Sequence, residues 1–233
     1  GPEASLGHAL TREIEWRGDF PSLNYILTSS GWRQDHNGFS HQNPSFIDDA
    51  LRRQGDFVNV YFPPDGNTTL AVLERVMGSV KQINVVVAGK TQEPRWLTPE
   101  LAQKQLQSGI MTWDFASDPN PDIVMLGIGD YPTKEILAAV DLIKRDIPNL
   151  KLRVVNVTSL TSCGLGSSGM CVSQAEFDRQ FTADKPVICN FHGYPETIKS
   201  ILFSYVDNPK RFTVRGYVES GSTTTPFDMH VRN

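Results

Sequence analysis

The sequence predicts an α/β fold built from mostly parallel sheets with flanking helices. Seven short runs of aliphatic and β-branched residues recur along the 233 residues, with helical patterns between them. Several runs are apolar on both faces, as expected for strands covered on both sides, and their alternation with helices predicts parallel pairing. The predicted strands are Leu23–Thr28, Phe57–Phe62, Ile83–Ala88, Ile123–Ile128, Leu152–Val157, Pro186–Phe191 and Phe212–Tyr217.

The helical segments carry readable start signals. Thr133–Lys144 repeats apolar residues on one face, and Thr68–Val80 follows a similar pattern. Thr98–Pro99 places a proline where the first turn of a helix favours it. Ser173–Glu176 fits a capping box, in which a serine side chain and a glutamate three positions later satisfy the first backbone amides. We therefore expect helices to begin at these positions.

The chain divides into three predicted parts. Residues 1–90 contain three strands, too few for an independent sheet, and are interpreted as part of a larger domain. Residues 91–121 are rich in proline and predict a linker with one helix and no strand. Residues 122–233 predict a second α/β unit. Within it, residues 159–173 are rich in serine, glycine and cysteine and predict a mobile loop.

Composition and charge narrow the classes of function. The net charge of -4 and the pI of about 5.7 argue against general nucleic-acid binding, which needs a basic face. No apolar run is long enough to cross a bilayer, and the start of the sequence lacks a secretory pattern, so a cytoplasmic protein with no membrane partner is expected. Three cysteines without Cys-x-x-Cys spacing predict neither disulfides nor a zinc site.

The polar segment 33–42, after the first predicted strand, is the strongest candidate for a functional site. His36 and His41 are five positions apart, which does not place them on one helical face, and no third ligand is near, so a metal site is disfavoured. Imidazoles at the end of a buried strand suit proton transfer and phosphate binding, and Arg33 and Asn37 add donors for an oxyanion. The alternative is a loop held by its own hydrogen bonds.

Lys90 is the second candidate. It follows the predicted strand Ile83–Ala88 and a glycine, at the edge of the sheet where open α/β folds bind ligands. The alternative, a solvated charge at the end of a strand, is equally compatible with the sequence. If the functional interpretation holds, the two imidazoles and this ammonium group converge on one anion-binding hollow.

Three further segments have weaker functional interpretations. Phe62–Asn67 is expected to be a turn in which Asp65 or Asn67 caps the next helix. Gly127–Asp130 resembles half of a dinucleotide fingerprint, but a tight strand-to-helix turn explains it as well. The hydroxyl-rich Thr223–Thr225 segment suits either an anion site or a tail packed on the sheet.

These stretches together resemble the thiamine-diphosphate-dependent phosphoketolases. The resemblance extends from about Phe20 to the end of the chain, and the segment Trp32–Gln42 is its most specific part. Residues 159–173 and Gly66 depart from the family pattern. The other matching stretches are Ser22–Thr28, Val60–Asp65, Val85–Lys90, Arg153–Val157, His192–Pro195 and Arg215–Met229.

The resemblance implies an activity and a fold for the whole enzyme. Phosphoketolases cleave xylulose 5-phosphate or fructose 6-phosphate with inorganic phosphate, giving acetyl phosphate and an aldose phosphate. The fold implied is the last part of a pyrimidine-binding domain (1–90) followed by a transketolase C-terminal-like domain (122–233). The Gly-Asp-Gly…Asn motif and the glutamate that activates thiamine are absent, so thiamine diphosphate and Mg²⁺ are expected in the full-length enzyme and not on this chain. The full-length enzyme is expected to be a homodimer or larger, and this chain alone to be inactive.

The resemblance also assigns roles to residues at matching positions. His36 and Asn37 would be catalytic, lying near the thiamine and assisting dehydration and the attack of inorganic phosphate. His41 and Lys90 would bind the phosphate of the sugar. No residue is assigned to a metal or to the cofactor. Two hypotheses from other classes remain open, a regulatory module that binds a nucleotide or metabolite, and a domain that only supports the dimer.

Overall fold

The structure is a computed structural model that describes residues 18–33, 44–53, 57–161, 163–166, 171–219, 221 and 225–233. Within these ranges the chain forms two sheets with helices against both faces, which confirms the predicted α/β fold. All seven predicted strands are present, each within a residue or two of its predicted ends. No helix among the described residues is long and apolar enough to span a membrane.

The first sheet has three parallel strands, β1 (Leu23–Leu27), β2 (Val58–Tyr61) and β3 (Ile83–Val87), in the order β1-β3-β2. The central strand β3 is buried along its whole length, as its apolar residues on both faces predict, and it also buries the polar Asn84. Its last residue, Val87, pairs with Leu27 at the end of β1. The segments that follow β1 and β3 therefore leave the sheet side by side.

The second sheet has five strands in the order β4-β6-β5-β7-β8. β5, β6, β7 and β8 run parallel, and β4 pairs antiparallel with β6 at one edge. Their bounds are β4 Ile110–Thr112, β5 Ile123–Ile128, β6 Leu152–Val157, β7 Val187–Phe191 and β8 Phe212–Arg215.

The helices are α1 Ser45–Leu51, α2 Gly66–Met77, α3 Pro99–Ser108, α4 Asp130–Asp146, α5 Gln174–Phe181, α6 Pro195–Leu202 and α7 Pro226–Arg232. The starts of α2, α3 and α5 confirm predicted caps, whereas α4 begins at Asp130, three residues before the predicted Thr133. The side chains of Asp65, Thr98 and Ser173 each accept a hydrogen bond from the amide three residues later. Short 3₁₀ helices cover Asp114–Ala116 and Pro209–Arg211.

The expectation that 91–121 lacks a strand is wrong, because β4 lies within it. Three residues are too short to show the alternation by which a strand is recognised in a sequence. β4 begins after Gly109, whose φ of +70° lets the chain turn sharply out of α3. Ile110 and Trp113 are buried, so this segment is packed against the second sheet.

The two sheets share their hydrophobic cores. Alternate residues of β3 face opposite sides, so that Val85 and Val87 join one core and Val86 joins the other. The first core also takes residues from α1, α5 and α6, and the second from α2, α3 and α4. Both contain strands of both sheets, which fixes the sheets relative to each other.

The described parts of the loop 159–173 lie against the first sheet. Ser159 forms an isolated bridge with Tyr61, and the amide of Leu160 donates to the carbonyl of Val60 at 3.3 Å. Leu160 and Leu165 are both buried in the first core. This part of the loop therefore joins the two sheets.

Candidate functional site

The site is built where β1 and β3 end. The amide of Ala88 donates to the carbonyl of Leu27 at 3.0 Å, which continues the pairing of the two strands by one residue. Lys90 follows two residues later and is exposed. His36, Asn37 and His41 lie outside the described residues, so their placement remains a prediction. The base of the histidine segment and Lys90 do leave the sheet from neighbouring strands.

The second sheet holds the base of the histidine segment. The indole Nε1 of buried Trp32 donates to the carbonyl of Phe191, at the end of β7, at 2.8 Å. A Cβ on Gly31 would lie only 3.0 Å from Cδ2 of Tyr217. The side chain of Asn233 also donates to the carbonyl of Gly31 at 3.4 Å. The C-terminal part of the chain thus fixes the start of the segment that carries the predicted catalytic residues.

Tyr131, in the first turn of α4, contacts both segments of the site. Arg33 Nη1 donates to its hydroxyl at 2.8 Å, and the guanidinium carbon lies 5.5 Å from the centre of its ring. The hydroxyl of Thr91, next to Lys90, lies 3.4 Å from the same phenol oxygen. The ammonium group of Lys134 lies 5.6 Å from the ring centre. Two cationic side chains, Arg33 and Lys134, and the hydroxyl of Thr91 therefore meet at Tyr131.

The carboxyl group of Asp130 is buried beside the turn that contains Gly89 and Lys90. Its Oδ1 accepts from the amide of Tyr131 at 2.7 Å, and its Oδ2 has no hydrogen-bond partner among the described residues. A Cβ on Gly89 would lie 2.9 Å from Asp130 Oδ2 and 2.4 Å from Glu93 Oε1, so both carboxyl groups face Gly89.

The surroundings of Asp130 favour its protonated form. Burial raises the pKa of Asp130 to about 6, the amide of Tyr131 opposes this shift, and the carboxylate of Glu93 adds to it, while Lys134 weakly opposes it. A carboxyl group in these surroundings exchanges its proton close to neutral pH.

His192 is a buried, neutral imidazole. It follows β7, is 6 % exposed, and its Nδ1 has no hydrogen-bond partner among the described residues. Burial lowers the pKa of His192 to about 4. Its ring centre lies 6.1 Å from that of Phe62, and its Cβ is 3.1 Å from where a Cβ on Gly129 would be. These contacts are those of a core histidine.

The segment Gly127–Asp130 is a tight turn, as one interpretation predicted. Gly129 has a φ of +106°, and a Cβ on Gly127 would lie 2.7 Å from Oγ1 of Thr133. The same Thr133 hydroxyl donates to the carbonyl of Gly129 at 2.6 Å. Side chains of α4 therefore fill the space in which a phosphate would lie, and the carboxyl of Asp130 already occupies the helix N-terminus. This arrangement disfavours a dinucleotide site.

Sequence reasoning named Asp130 only as the end of the Gly127–Asp130 segment, and it did not single out Tyr131. The available signal was an acid directly after Gly129 at the start of a helix, at the carboxyl end of β5. Nothing in the sequence connects Tyr131 with Arg33, which is 98 residues away. Among the described residues, no group of three or more His, Cys, Asp or Glu side chains could hold a metal ion.

Comparison with family models assigns both halves of the chain. Residues 8–79 match the model of D-xylulose 5-phosphate/D-fructose 6-phosphate phosphoketolase, and residues 90–233 match the XFP C-terminal domain. The proteins named "Probable phosphoketolase" of Brucella suis biovar 1 and of Gloeobacter violaceus are 48% and 47% identical over 230 and 227 residues. Each alignment covers 96% of this chain, but only 29% and 28% of the relative.

Solved structures show a transketolase-like fold. A transketolase from Leishmania mexicana matches 88% of this chain with a TM-score of 0.62 at 15% identity, over 27% of its own length. A transketolase from Pichia stipitis, in complex with sedoheptulose 7-phosphate, matches 88% with a TM-score of 0.56 at 17% identity, over 26% of its length. These identities establish the fold alone.

Proposed function

We propose, from the premise that this chain belongs to the phosphoketolase family, that it supplies the substrate-phosphate side of a phosphoketolase active site. The whole protein would cleave xylulose 5-phosphate or fructose 6-phosphate with inorganic phosphate, giving acetyl phosphate and an aldose phosphate. This chain spans about 29% of the length of its relatives, so the activity belongs to the longer protein and the chain alone would be inactive.

One observation carries the proposal. β1 and β3 are parallel neighbours, and the segments after them bring Arg33 and Lys90 out at the same edge of the sheet. A sugar phosphate is a dianion, and guanidinium and ammonium groups are its natural partners. His41 would bind the same phosphate, while His36 and Asn37 would act on the reacting carbons, with an imidazole serving as the general acid that the loss of hydroxide requires.

Thiamine diphosphate is part of the proposal for the whole protein. When bound, it would supply the carbanion chemistry that breaks a carbon–carbon bond beside a carbonyl. The described residues offer no metal-ligand cluster, so neither the diphosphate nor Mg²⁺ is assigned to them. In this proposal the residues of this chain bind the sugar phosphate and move protons, and a second subunit completes the site.

The decisive experiment measures acetyl phosphate formed from xylulose 5-phosphate, fructose 6-phosphate and inorganic phosphate. We expect sustained, thiamine-dependent production by the full-length protein and none by this chain alone. Production by neither would refute the proposed activity. Production by the isolated chain would refute the claim that the site is shared with the rest of the protein.

A regulatory role for the C-terminal unit is the weaker hypothesis, because the Gly127–Asp130 turn is filled by side chains of α4. Of the other predicted anion site, Thr223–Thr225, the first two residues lie outside the described residues. Calorimetric titration with ATP, AMP and phosphorylated acids tests it directly. We expect no heat of binding at this turn. Binding that is abolished by a substitution in 127–130 would restore the regulatory hypothesis.

A further inference from the structure

Tyr131 is held in place by the hydrogen-bonded turn at the start of α4. It lies in the first turn of α4 and is 6 % exposed. Two hydrogen bonds hold the turn before it. The Thr133 hydroxyl donates to the carbonyl of Gly129, and the amide of Tyr131 donates to the carboxyl group of Asp130. The Cβ positions of Gly127 and Gly129 are already crowded, so this turn has little freedom to shift.

The Tyr131 hydroxyl joins two segments that the chain keeps far apart. Arg33 precedes His36 by three residues, and Thr91 directly follows Lys90. Both contact the same phenol oxygen, at 2.8 Å from Arg33 Nη1 and 3.4 Å from Thr91 Oγ1. The tyrosine therefore sets the spacing between the two parts of the proposed phosphate site.

The hydrogen bonds of Tyr131 connect a cation to a carboxylate. A guanidinium can only donate, so the Tyr131 oxygen accepts from Arg33, whereas either oxygen can be the donor between the hydroxyls of Tyr131 and Thr91. The Thr91 hydroxyl in turn donates to Glu93 Oε1 at 3.0 Å. The result is one chain of donors from a cation to a carboxylate, and each bond in such a chain polarises the next.

We propose that Tyr131 is a positioning residue for substrate binding, holding the base of the histidine segment and the Lys90 turn at the separation that lets both engage one sugar phosphate. This inference rests on the proposed function and goes beyond it, because it gives the C-terminal unit a role in the active site. The first turn of α4 then connects two segments that follow strands of the first sheet, and we call the contacts of Tyr131 with Arg33 and Thr91 the clasp.

The kinetic test is Tyr131→Phe in the full-length protein loaded with thiamine diphosphate. Phenylalanine keeps the ring under Arg33 and Lys134 but breaks the chain of donors. Loss of about one net hydrogen bond predicts a rise in KM for the sugar phosphate of roughly three- to tenfold with kcat nearly unchanged. The matched control is Tyr205→Phe, whose hydroxyl donates to the carbonyls of Gly166 and Val172 and to neither site segment.

Thr91→Val tests the contact between the hydroxyl groups of Thr91 and Tyr131. If the chain of donors acts as a unit, the effects of Tyr131→Phe and Thr91→Val on KM are not additive, and the double variant resembles the more severe single variant. Additive effects, an unchanged KM in Tyr131→Phe, or an equal rise in Tyr205→Phe would each overturn the proposal.

A readout independent of activity separates this inference from the proposed function. Hydrogen exchange on the full-length apoprotein should show that Tyr131→Phe raises exchange in peptides covering both 30–33 and 88–93, and that Tyr205→Phe does not. If the protein makes no acetyl phosphate but both peptides respond, the proposed function fails while the clasp stands. If neither or only one responds, the clasp itself is refuted.

Discussion

Asp130→Asn is the substitution whose effect can be worked out most fully from the structure. The side chain is almost completely buried, and only its Oδ1 has a hydrogen-bond partner among the described residues. Asparagine keeps an oxygen for the amide of Tyr131 and places an amide group where the partnerless Oδ2 stands, facing the carboxylate of Glu93. The change therefore removes a titrating charge without changing the shape of the side chain.

The magnitude follows from the pKa of Asp130, which burial raises from 3.8 to about 6. Between these two values the folded chain keeps a proton that the unfolded chain has released. Its stability therefore falls as the pH rises through this interval, and the loss is complete above the folded pKa. At 1.36 kcal/mol per pH unit, a difference of about two units corresponds to about 3 kcal/mol.

Urea unfolding between pH 4 and pH 7.5, followed by tryptophan fluorescence, measures this effect. We expect wild type and Asp130→Asn to have similar free energies of unfolding near pH 4, and the variant to be more stable by up to about 3 kcal/mol at pH 7.5. Asp141→Asn, an exposed position on the same helix, is the control and should show no such trend. A difference between variant and wild type that stays constant with pH would refute the reasoning.

The remaining predictions concern a buried base, a backbone position and the ligand site. Burial lowers the pKa of His192 from 6.5 to about 4, so the folded protein loses stability as the pH falls through this range. Between pH 7.5 and pH 4, the free energy of unfolding of His192→Gln should therefore rise by about 3 kcal/mol relative to that of wild type. Gly109→Ala should lower the free energy of unfolding by roughly 3 kcal/mol, because Gly109 has a φ of +70° and a Cβ there would lie 2.4 Å from the backbone nitrogen of Gly164. Gly66→Ala is the control, because a Cβ on Gly66 would have no contact shorter than 3.5 Å. Lys90→Met should raise KM for the sugar phosphate about tenfold or more, and exposed Lys210→Met should not.

Each of these has an outcome that contradicts it. If the variant and wild type lose stability in parallel as the solution is acidified, burial does not lower the pKa of His192. If both glycine substitutions shift the urea midpoint equally, the positive φ of Gly109 and the contact at its Cβ position do not limit that site. Unaltered saturation kinetics in Lys90→Met would remove that ammonium group from the phosphate site.

Local patterns predicted the elements well, because strands and helices are fixed by short-range periodicity and by caps. β3 was identified by its β-branched residues, apolar on both faces, and α5 by Ser173 at its start. β4 was missed because three residues carry no period, and because it pairs with β6, more than 40 residues further along the chain. The prediction of a strand-end site with Lys90 remains a prediction, as do the roles of the histidines.

The sequence by itself determined seven of the eight strands in the described part of the chain, the capped helix starts at Asp65, Thr98 and Ser173, and the family, since each depends on residues that are close together or on a specific stretch such as Trp32–Gln42. Only the tertiary structure decided that β1 and β3 are neighbours and that Tyr131 reaches both Arg33 and Thr91. It also decided that Asp130 is buried beside Glu93, which is the cause of its raised pKa. Such effects depend on distances between parts of the chain that sequence spacing does not encode, and they arise only when the cores of both sheets are packed together.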